Sequence, residues 1–336
     1  MDLDVVFLGT SGSVPTAQRA PTSLLVRRGG ERLLFDCGEG TQRQLLRSGI
    51  GLVELREIFL THYHADHYLG LPGMLKTFSL RGREMPLTVY GPAGLVELFD
   101  GLKRIFGKLS YRLELEEIRS GDTLDRGEYR VAAFSVRHGV PGIGYAIVES
   151  PRPGRFDVEA ARALGVPEGP LWGVLQDGEP VTLADGSTVG PDQVLGEPRA
   201  GRKVVIAGDT QPARSVLEMA IEADLLVHEA TFAAEEKERA EETGHSTAAD
   251  AAELARLAGV RMLALTHLSN RYFGPEILRE ARGIFPETVV PRDFDIIDVR
   301  FAERGGPQLV KGGALARSDA AQAAPAEAVV ELEGKT

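Results

Sequence analysis

The sequence predicts a layered α/β fold whose polar chemistry lies at the ends of its strands. Short apolar runs of strand length alternate with stretches whose apolar residues recur at helical spacing. Several of these short runs end directly on a histidine or an aspartate, namely His62, His138, Asp209, His228 and His267. Because strand ends meet at one edge of a layered α/β fold, we expect these side chains to come together there.

The individual elements follow from apolar spacing and from turn residues. Gly29-Gly30 separates two apolar runs and predicts a hairpin. Pro72 in the first turn of a helix and a hydroxyl in Ser246-Thr247 before another are typical helix starts. Strands are predicted at 4–8, 23–26, 32–35, 58–60, 87–90, 129–136, 144–148, 204–206, 225–227 and 262–265, with helices at 42–48, from 71, up to 106 and through 251–257.

Composition limits the class of protein. With 336 residues the chain holds one large domain or two smaller ones, and 43% hydrophobic with 26% charged residues is a typical globular balance. A single cysteine, Cys37, excludes an internal disulfide and favours a reducing compartment, so we expect a cytoplasmic protein. Neither a membrane-spanning apolar run nor a basic-then-apolar leader is expected. A net charge of −11 argues against a broad nucleic-acid binder, and no DNA binding is expected.

Two segments depart from the core pattern. Residues 151–200 contain recurrent prolines and glycines with weak apolar spacing, which predicts an inserted arm. From residue 305 onward the chain is rich in alanine and glycine, which predicts a disordered tail over 305–336. The predicted folded domain is therefore 1–304, with the arm inside it.

The densest group of chemical side chains is His62, His64, Asp66 and His67, placed between a buried strand and a helix. Histidine and aspartate suit zinc and similar divalent ions. A plain reading makes them capping or surface residues, but four such groups in one turn would repel or desolvate one another without a cation. They are also more than one ordinary four-ligand site takes, which suggests two metals side by side.

The remaining candidates follow from the seven histidines of the chain, all of which lie in these strand-end and turn motifs. This concentration favours a role in the site for His138 and His267. His228 stays open between a site residue and a structural one. Cys37 is better explained as a small buried residue than as a nucleophile, because no histidine lies near it in sequence.

With those residues placed, the chain resembles the ribonuclease Z family, the tRNA 3′-processing endonucleases of the metallo-β-lactamase superfamily. The similarity covers residues 2–300. It rests on the His62-x-His64-x-Asp66-His67 signature together with 7–12, 35–42, 208–210, 228–231, 245–247 and 265–267. The resemblance implies a four-layer αββα sandwich of two mixed β-sheets flanked by helices, with 151–200 as a flexible exosite arm.

The resemblance also implies two zinc ions per subunit, although the same donors accept Mn²⁺ or Fe²⁺. Asp66 would orient or deprotonate the attacking water. Glu229 with His245 would protonate the leaving 3′-oxygen, which leaves His228 a structural role. The implied ligands are His62, His64 and His138 for one ion, Asp66, His67 and His267 for the other, and Asp209 as the bridge.

For the substrate, the resemblance implies a tRNA precursor cut to give a tRNA 3′-hydroxyl and a trailer with a 5′-phosphate. Gly169-Pro170 resembles the family's Gly-Pro motif in an arm that grips the tRNA elbow across a homodimer. Residues 151–199 carry four arginines and eight carboxylates, so this arm cannot hold phosphates by bulk charge. Arg271, with Ser269 nearby, is the candidate for phosphate contact near the cut, a surface salt bridge being the equal alternative.

Two other functions fit parts of the sequence. A small-substrate metallohydrolase, such as a phosphodiesterase, arylsulfatase or lactonase, would share the metal ligands and would explain the acidic charge. The long arm and the Glu229–His245 pair count against it. A non-catalytic RNA- or protein-binding relative would have lost a ligand, and none is missing here.

Overall fold

Two mixed β-sheets face each other in the computed structural model, which describes residues 1–52 and 54–313. The strands are β1 (Leu3–Gly9), β2 (Ser23–Arg28), β3 (Glu31–Phe35), β4 (Glu57–Phe59), β5 (Leu87–Gly91), β6 (Leu113–Glu117), β7 (Thr123–Asp125), β8 (Tyr129–Ser135), β9 (Ile143–Glu149), β10 (Val181–Thr182), β11 (Thr188–Val189), β12 (Lys203–Ile206), β13 (Leu225–Glu229), β14 (Met262–Thr266), β15 (Thr288–Val289), β16 (Ile296–Asp298) and β17 (Gln308–Val310).

The helices lie mostly between parallel neighbours in the sheets, as crossover connections require. They are α1 (Thr41–Arg47), α2 (Ala65–Tyr68), α3 (Leu71–Leu80), α4 (Leu95–Phe106), α5 (Val158–Ala163), α6 (Pro170–Gln176), α7 (Arg214–Ala220), α8 (Lys237–Thr243), α9 (Ala248–Ala258) and α10 (Gly274–Arg282). The predicted hydroxyl cap is Thr247, whose side chain accepts a hydrogen bond from the Asp250 amide at the start of α9.

Each sheet combines antiparallel and parallel pairing. The first has the order β17-β16-β1-β2-β3-β4-β5-β6, and its strands from β3 to β6 run parallel. The second has the order β15-β14-β13-β12-β9-β8-β7, and its strands from β12 to β15 run parallel. Parallel strands bring their carboxyl ends to the same edge, where ligands bind in open α/β sheets.

Alternation along the strands explains the layers. In β1, Val5 and Phe7 pack into the core between the sheets, while Val6 and Leu8 pack against the helices of the outer layer. Both faces of β1 are therefore buried, as in strands covered on two sides. The second sheet likewise packs its outer face on α7, α9 and α10. The order helix, sheet, sheet, helix confirms the predicted αββα sandwich.

An aromatic layer between the sheets supports the strand that leads into the His-rich turn. Phe59 is fully buried and its ring stacks on Phe35 and Tyr90, with centroid distances of 4.9 and 4.7 Å. From the opposite sheet, Tyr145 packs on Phe59 and donates a hydrogen bond to the Leu60 carbonyl across 2.8 Å. Replacing a buried phenylalanine such as this by alanine costs about 3–5 kcal/mol. Both sheets thus fix the position of the turn that follows β4.

Residues 151–200 form a small unit with its own apolar cluster. This unit contains α5, α6 and the β10–β11 hairpin, and Arg152 pairs with Arg199 in a β-bridge at its base. Its buried side chains are Ala161, Val166, Leu175, Val181, Val189 and Val194. These apolar residues are too few and too irregularly spaced to read as a core in sequence, yet they pack together once the prolines and glycines turn the chain.

The C-terminal segment departs from its sequence expectation in part. The predicted tail starts at 305, but β17 pairs antiparallel with β16, placing Ile296 opposite Val310. Pairing with β16 at the edge of the sheet holds this strand, which its weak apolar pattern did not predict. The rest of the predicted tail, 314–336, lies outside the described residues. Among the residues that are described, no helix is long and apolar enough to cross a membrane.

Candidate metal centre

The predicted metal ligands all lie just past strand ends at one edge of the sandwich. His62 and His64 follow β4 of the first sheet, and Asp66 and His67 lie in the short helix α2. The second sheet supplies the other three side chains beyond β8, β12 and β14, namely His138, Asp209 and His267. The centre is therefore formed by loops from both sheets.

Two groups of donor atoms that contain the predicted ligands meet at this edge, and a third group, Asp209, His245 and His267, overlaps them. His62, His64, His138 and Asp209 each offer a ligand atom, and these atoms lie within 4.8 Å of one another. His138 Nε2 is 3.1 Å from His64 Nδ1, and His62 Nε2 is 3.8 Å from Asp209 Oδ2. Imidazole nitrogens this close face a common point, as ligands of one ion do.

The second group is Asp66, His67 and His267, with donor atoms inside the same limit. His267 Nε2 lies 3.2 Å from Asp66 Oδ2 and 3.3 Å from Asp209 Oδ2. His67 Nε2 lies 3.4 Å from the same Asp209 oxygen. Asp209 Oδ2 therefore stands between the two groups, where a shared ligand would lie.

Hydrogen bonds from the outward-facing ring nitrogens orient three of these imidazoles. A partner on Nδ1 fixes the tautomer and leaves Nε2 with its lone pair facing inward. The bonds run from His67 Nδ1 to Asp36 Oδ2 (2.7 Å), from His138 Nδ1 to the Gly244 carbonyl (2.7 Å) and from His267 Nδ1 to Thr231 Oγ1 (2.8 Å).

Asp36 is a supporting residue that the sequence analysis did not single out. It accepts from His67 Nδ1 and from the Thr61 amide, the latter across 2.8 Å, and the Thr61 hydroxyl also lies 3.1 Å from His62 Nδ1. Asp36 has a left-handed backbone (φ 56°), which aspartate tolerates better than most residues. The signal was available, because Asp36 follows a buried strand as the ligands do.

The donor set fits divalent cations. His62 Nε2 and His67 Nε2 are buried and have no hydrogen-bond partner among the described residues. Leaving a buried polar nitrogen without a partner costs about 1–3 kcal/mol. His62 Nε2 and His67 Nε2 lie 3.8 and 3.4 Å from Asp209 Oδ2, and a cation between them and the carboxylate would satisfy both sides.

The charge states of His62, His64 and Asp209 suit metal binding. Burial and the neighbouring His67 lower the pKa of His62, and burial and His138 lower that of His64, so both imidazoles are neutral. Burial alone would raise the pKa of Asp209, but His267 and His67 outweigh it and hold that carboxyl ionised. Neutral imidazole and ionised carboxylate are the forms that bind metals. Burial would lower the pKa of His67, but Asp209 and Asp36 outweigh it and raise that pKa, so a cation would have to displace the proton of this imidazole.

Glu229 and His245 form a hydrogen-bonded pair beside the ligands. His245 Nδ1 lies 2.9 Å from Glu229 Oε1, which also accepts from the Thr210 amide across 2.7 Å. Burial opposes protonation of His245, but its hydrogen bond to the buried Glu229 outweighs this and raises its pKa to about 9. His245 Nδ1 lies 3.9 Å from Asp209 Oδ2, so the pair borders the centre.

His228 stands outside both donor groups. Its Nδ1 donates to the Glu229 carbonyl across 2.8 Å, and burial lowers its pKa. It is buried in the interior and belongs to none of the donor groups. The same is true of Cys37, a free, buried thiol whose pKa burial raises.

The predicted substrate contacts are not among the donor groups of the metal centre. Arg271 Nη1 forms an ion pair with Glu236 Oε1 at 2.9 Å, and Ser269 Oγ accepts from the Arg271 amide at 3.4 Å. Arg271 thus forms the salt bridge that the sequence offered as the alternative to phosphate contact. Gly169 and Pro170 begin α6 on the exposed surface of the arm.

A groove gives access to the centre. It has a volume of about 520 Å³, and His138 lies in its wall with Val136, Arg119 and the glycine-rich turn 139–142. A ligand histidine in the wall of an open groove allows an extended substrate to reach the centre from outside.

Comparisons with known proteins agree with this fold. Residues 17–267 match the model of the metallo-beta-lactamase superfamily. The chain is 46% identical over 302 residues to the ribonuclease Z of Methanosarcina acetivorans, covering 89% of this chain and 99% of that one. It is 50% identical to the ribonuclease Z of Myxococcus xanthus, with 80% and 88% covered. The crystal structure of human tRNase Z, short form, superimposes with a TM-score of 0.63 at 29% identity, covering 88% and 98%.

Proposed function

The chain belongs to the ribonuclease Z family of the metallo-β-lactamase superfamily, and we propose that it cuts with two zinc ions. It is a metal-dependent endoribonuclease of tRNA 3′ processing. It removes the 3′ trailer from tRNA precursors and leaves a tRNA 3′-hydroxyl and a 5′-phosphorylated trailer. The observation that carries the zinc proposal is the pair of donor groups that meet at Asp209 Oδ2.

Our assignment of ligands follows the two donor groups. His62, His64 and His138 would hold one ion, Asp66, His67 and His267 the other, and Asp209 both. When bound, such ions lower the pKa of a water and stabilise charge on the attacking and leaving oxygens. The same donors accept Mn²⁺ and Fe²⁺, so metal analysis has to test the proposal that the bound ions are zinc.

Asp66 is proposed to orient the attacking water. Its Oδ2 accepts a hydrogen bond from the Ser13 amide across 2.8 Å, which anchors the carboxylate from the loop after β1. Burial would raise the pKa of Asp66, but the hydrogen bond with His267 and the charge of His67 outweigh it, so the carboxylate is ionised. An ionised, anchored carboxylate can accept or steer a water proton.

Glu229 and His245 are proposed to deliver the proton to the leaving oxygen. A pKa of about 9 keeps His245 protonated at neutral pH. Glu229 is buried and holds the imidazole through Oε1, so it acts as a positioning residue for the acid. A positioned imidazolium contributes typically 10²–10⁴-fold to such a step.

The small-substrate alternative draws support from the arm. Arg152 and Arg199 pair with Glu303 at the base of the arm, and Arg162 pairs with Glu159 and Glu168. Three of the arm's four arginines are thus paired with carboxylates, two of them with Glu303 outside the arm. We also propose that the arm is a tRNA exosite that acts through Gly169-Pro170, that the protein forms a homodimer and that it is cytoplasmic. Ser269 and Arg271 are the proposed phosphate contacts.

Incubating the zinc-loaded protein with a tRNA precursor that carries a 3′ trailer, and mapping both product ends, tests the proposal. We expect one cut near the discriminator base with the ends given above. Asp100→Ala, which alters an exposed aspartate on α4, is the matched control for Asp66→Ala. Failure to cut, together with rapid hydrolysis of bis(p-nitrophenyl) phosphate or a sulfate ester, would favour the small-substrate alternative.

A further inference from the structure

A second cavity is lined by four cations, two carboxylates and several apolar residues and glycines, so its charged lining is net positive. It has a volume of about 580 Å³ and sits between the start of α10, the loop 289–295 and the strand edge at 309–312. Its charged wall consists of Arg19, Arg282, Arg292 and Lys311 on the positive side and Asp293 and Asp295 on the negative side. We call it the basic cavity.

The two carboxylates of the basic cavity are already engaged by neutral donors. Asp293 accepts from the Thr10 hydroxyl (2.8 Å), the Ala20 amide (2.7 Å) and Gln44 Nε2 (2.8 Å). Asp295 accepts from the amides of Arg292 (2.9 Å) and Gly312 (2.7 Å). Both carboxylates therefore serve to fix the loops that form the wall.

The cations of the basic cavity form no ion pair within 4 Å in the described part of the chain, although Asp293 and Asp295 attract Arg19 electrostatically. Arg282 Nε donates to the Thr288 carbonyl and Arg19 Nη1 to the Pro291 carbonyl, at 2.9 and 2.8 Å. Arg292 and Lys311 are exposed. Like charges gathered in one cavity repel, and a bound anion removes that cost.

Arg19 connects the basic cavity to the metal centre. Its Nη1 donates to Thr10 Oγ1 across 2.6 Å, and the same loop reaches Asp66 Oδ2 through the Ser13 amide. A Cβ on Gly274 would lie 3.3 Å from Arg19 Nη2, so the glycine leaves that edge of the guanidinium open to the cavity. Arg19 follows Ser13 by six positions, a span of at most about 22 Å.

We propose that the basic cavity binds backbone phosphates of the RNA substrate, with Arg292 and Lys311 as the principal contacts. This inference rests on the proposed function, because it names where that substrate is held. Arginine forks match phosphate oxygens, and lysine adds a mobile point charge. A local site of this kind lets a chain of net charge −11 bind a polyanion although its arm is acidic.

The test compares the double variant Arg292→Ala/Lys311→Ala with the matched double variant Lys103→Ala/Arg104→Ala. The control removes the same charge from exposed positions in the last turn of α4, a helix of the outer layer. Binding of a fluorescein-labelled mature tRNA is measured by anisotropy over a range of salt concentrations, and thermal unfolding verifies the fold of each variant. Precursor cleavage is followed in parallel.

We expect the basic-cavity variant to bind tRNA about tenfold or more weakly, and its salt slope to fall by about 1.4–1.8, since each phosphate contact contributes about 0.7–0.9. The control keeps the wild-type slope. The conservative Arg292→Lys keeps most of the affinity because the charge stays.

Each possible outcome either supports or overturns the inference. Wild-type affinity and slope in the Arg292→Ala/Lys311→Ala variant would overturn the inference, even while the wild-type protein still processes precursors. A wild-type protein that binds tRNA through Arg292 and Lys311 but does not cut precursors would support the basic cavity and refute the processing role. An equal loss in the Lys103→Ala/Arg104→Ala control would mean that bulk charge alone matters, which also overturns it.

Discussion

His245 Nδ1 donates to Glu229 Oε1 across 2.9 Å, and Glu229 is buried while His245 borders Asp209. The carboxylate thus fixes both the orientation and the protonation of an imidazole at the edge of the donor groups. Thr231 adds to the arrangement, because its hydroxyl bonds Glu229 and accepts from His267 Nδ1. The proton-delivering pair and the metal ligands therefore share one hydrogen-bond network.

Glu229→Gln tests this relationship. Without the carboxylate the pKa of His245 falls from about 9 toward its ordinary value. The acid form is present below the folded pKa and lost above it, so the alkaline limb of the kcat profile should move to lower pH. We expect kcat to fall by about 10²-fold or more with a small change in KM. An unshifted alkaline limb would remove the pair from proton delivery.

Asp66→Ala should abolish cleavage and leave tRNA binding largely intact, because Asp66 lies among the donor groups and not in the basic cavity. Rate and binding are measured separately, by product mapping and by anisotropy with mature tRNA. The exposed Asp100→Ala should behave as wild type. Cleavage that survives in Asp66→Ala would exclude this residue from the mechanism.

Asp36→Asn tests the support beneath the ligands. Asparagine tolerates the left-handed backbone at this position, so the turn is kept while the charge that holds His67 is lost. Loss of such a partner typically lowers metal affinity by about 10–100-fold. Competition with a chromogenic zinc chelator measures this, with Asp100→Asn as the control. Unchanged zinc affinity would show that Thr61 and packing are sufficient to orient His67 without the Asp36 carboxylate.

Replacing residues 151–199 by a short glycine linker tests the arm. The ends can be joined because Val148 of β9 pairs directly with Lys203 of β12. We expect weaker cleavage of tRNA precursors and unchanged hydrolysis of bis(p-nitrophenyl) phosphate. If both activities fall together, the arm is a structural part of the sandwich, held through Arg152 and Glu303.

Much of the fold and the donor groups is readable from the sequence, because buried parallel strands are continuous apolar runs and the ligands follow them directly. The run 58–60 and His62 illustrate this. Strand β6, at a sheet edge, was not predicted, although the alternation of leucine and glutamate over Leu113–Glu117 is compatible with a half-buried strand. Its place is set by pairing with β5 rather than by its own hydrophobicity.

What the sequence could not give depends on contacts between distant positions. Arg19, Arg292 and Lys311 come from separate parts of the chain and meet only when β16 and β17 close the first sheet beside β1. The ion pair between Arg271 and Glu236 is likewise invisible before folding. Asp36 follows a buried strand as the ligands do, but nothing in the sequence pairs it with His67, and that contact appears only in the fold.

Titrating zinc into the metal-free protein while measuring single-turnover cleavage of a tRNA precursor tests the central claim most directly. The account predicts no cleavage without metal, and a rate that rises until two equivalents per chain are bound, because the two donor groups meet at Asp209 Oδ2. Full activity at one equivalent, or cleavage that persists in the presence of a chelator, would contradict it.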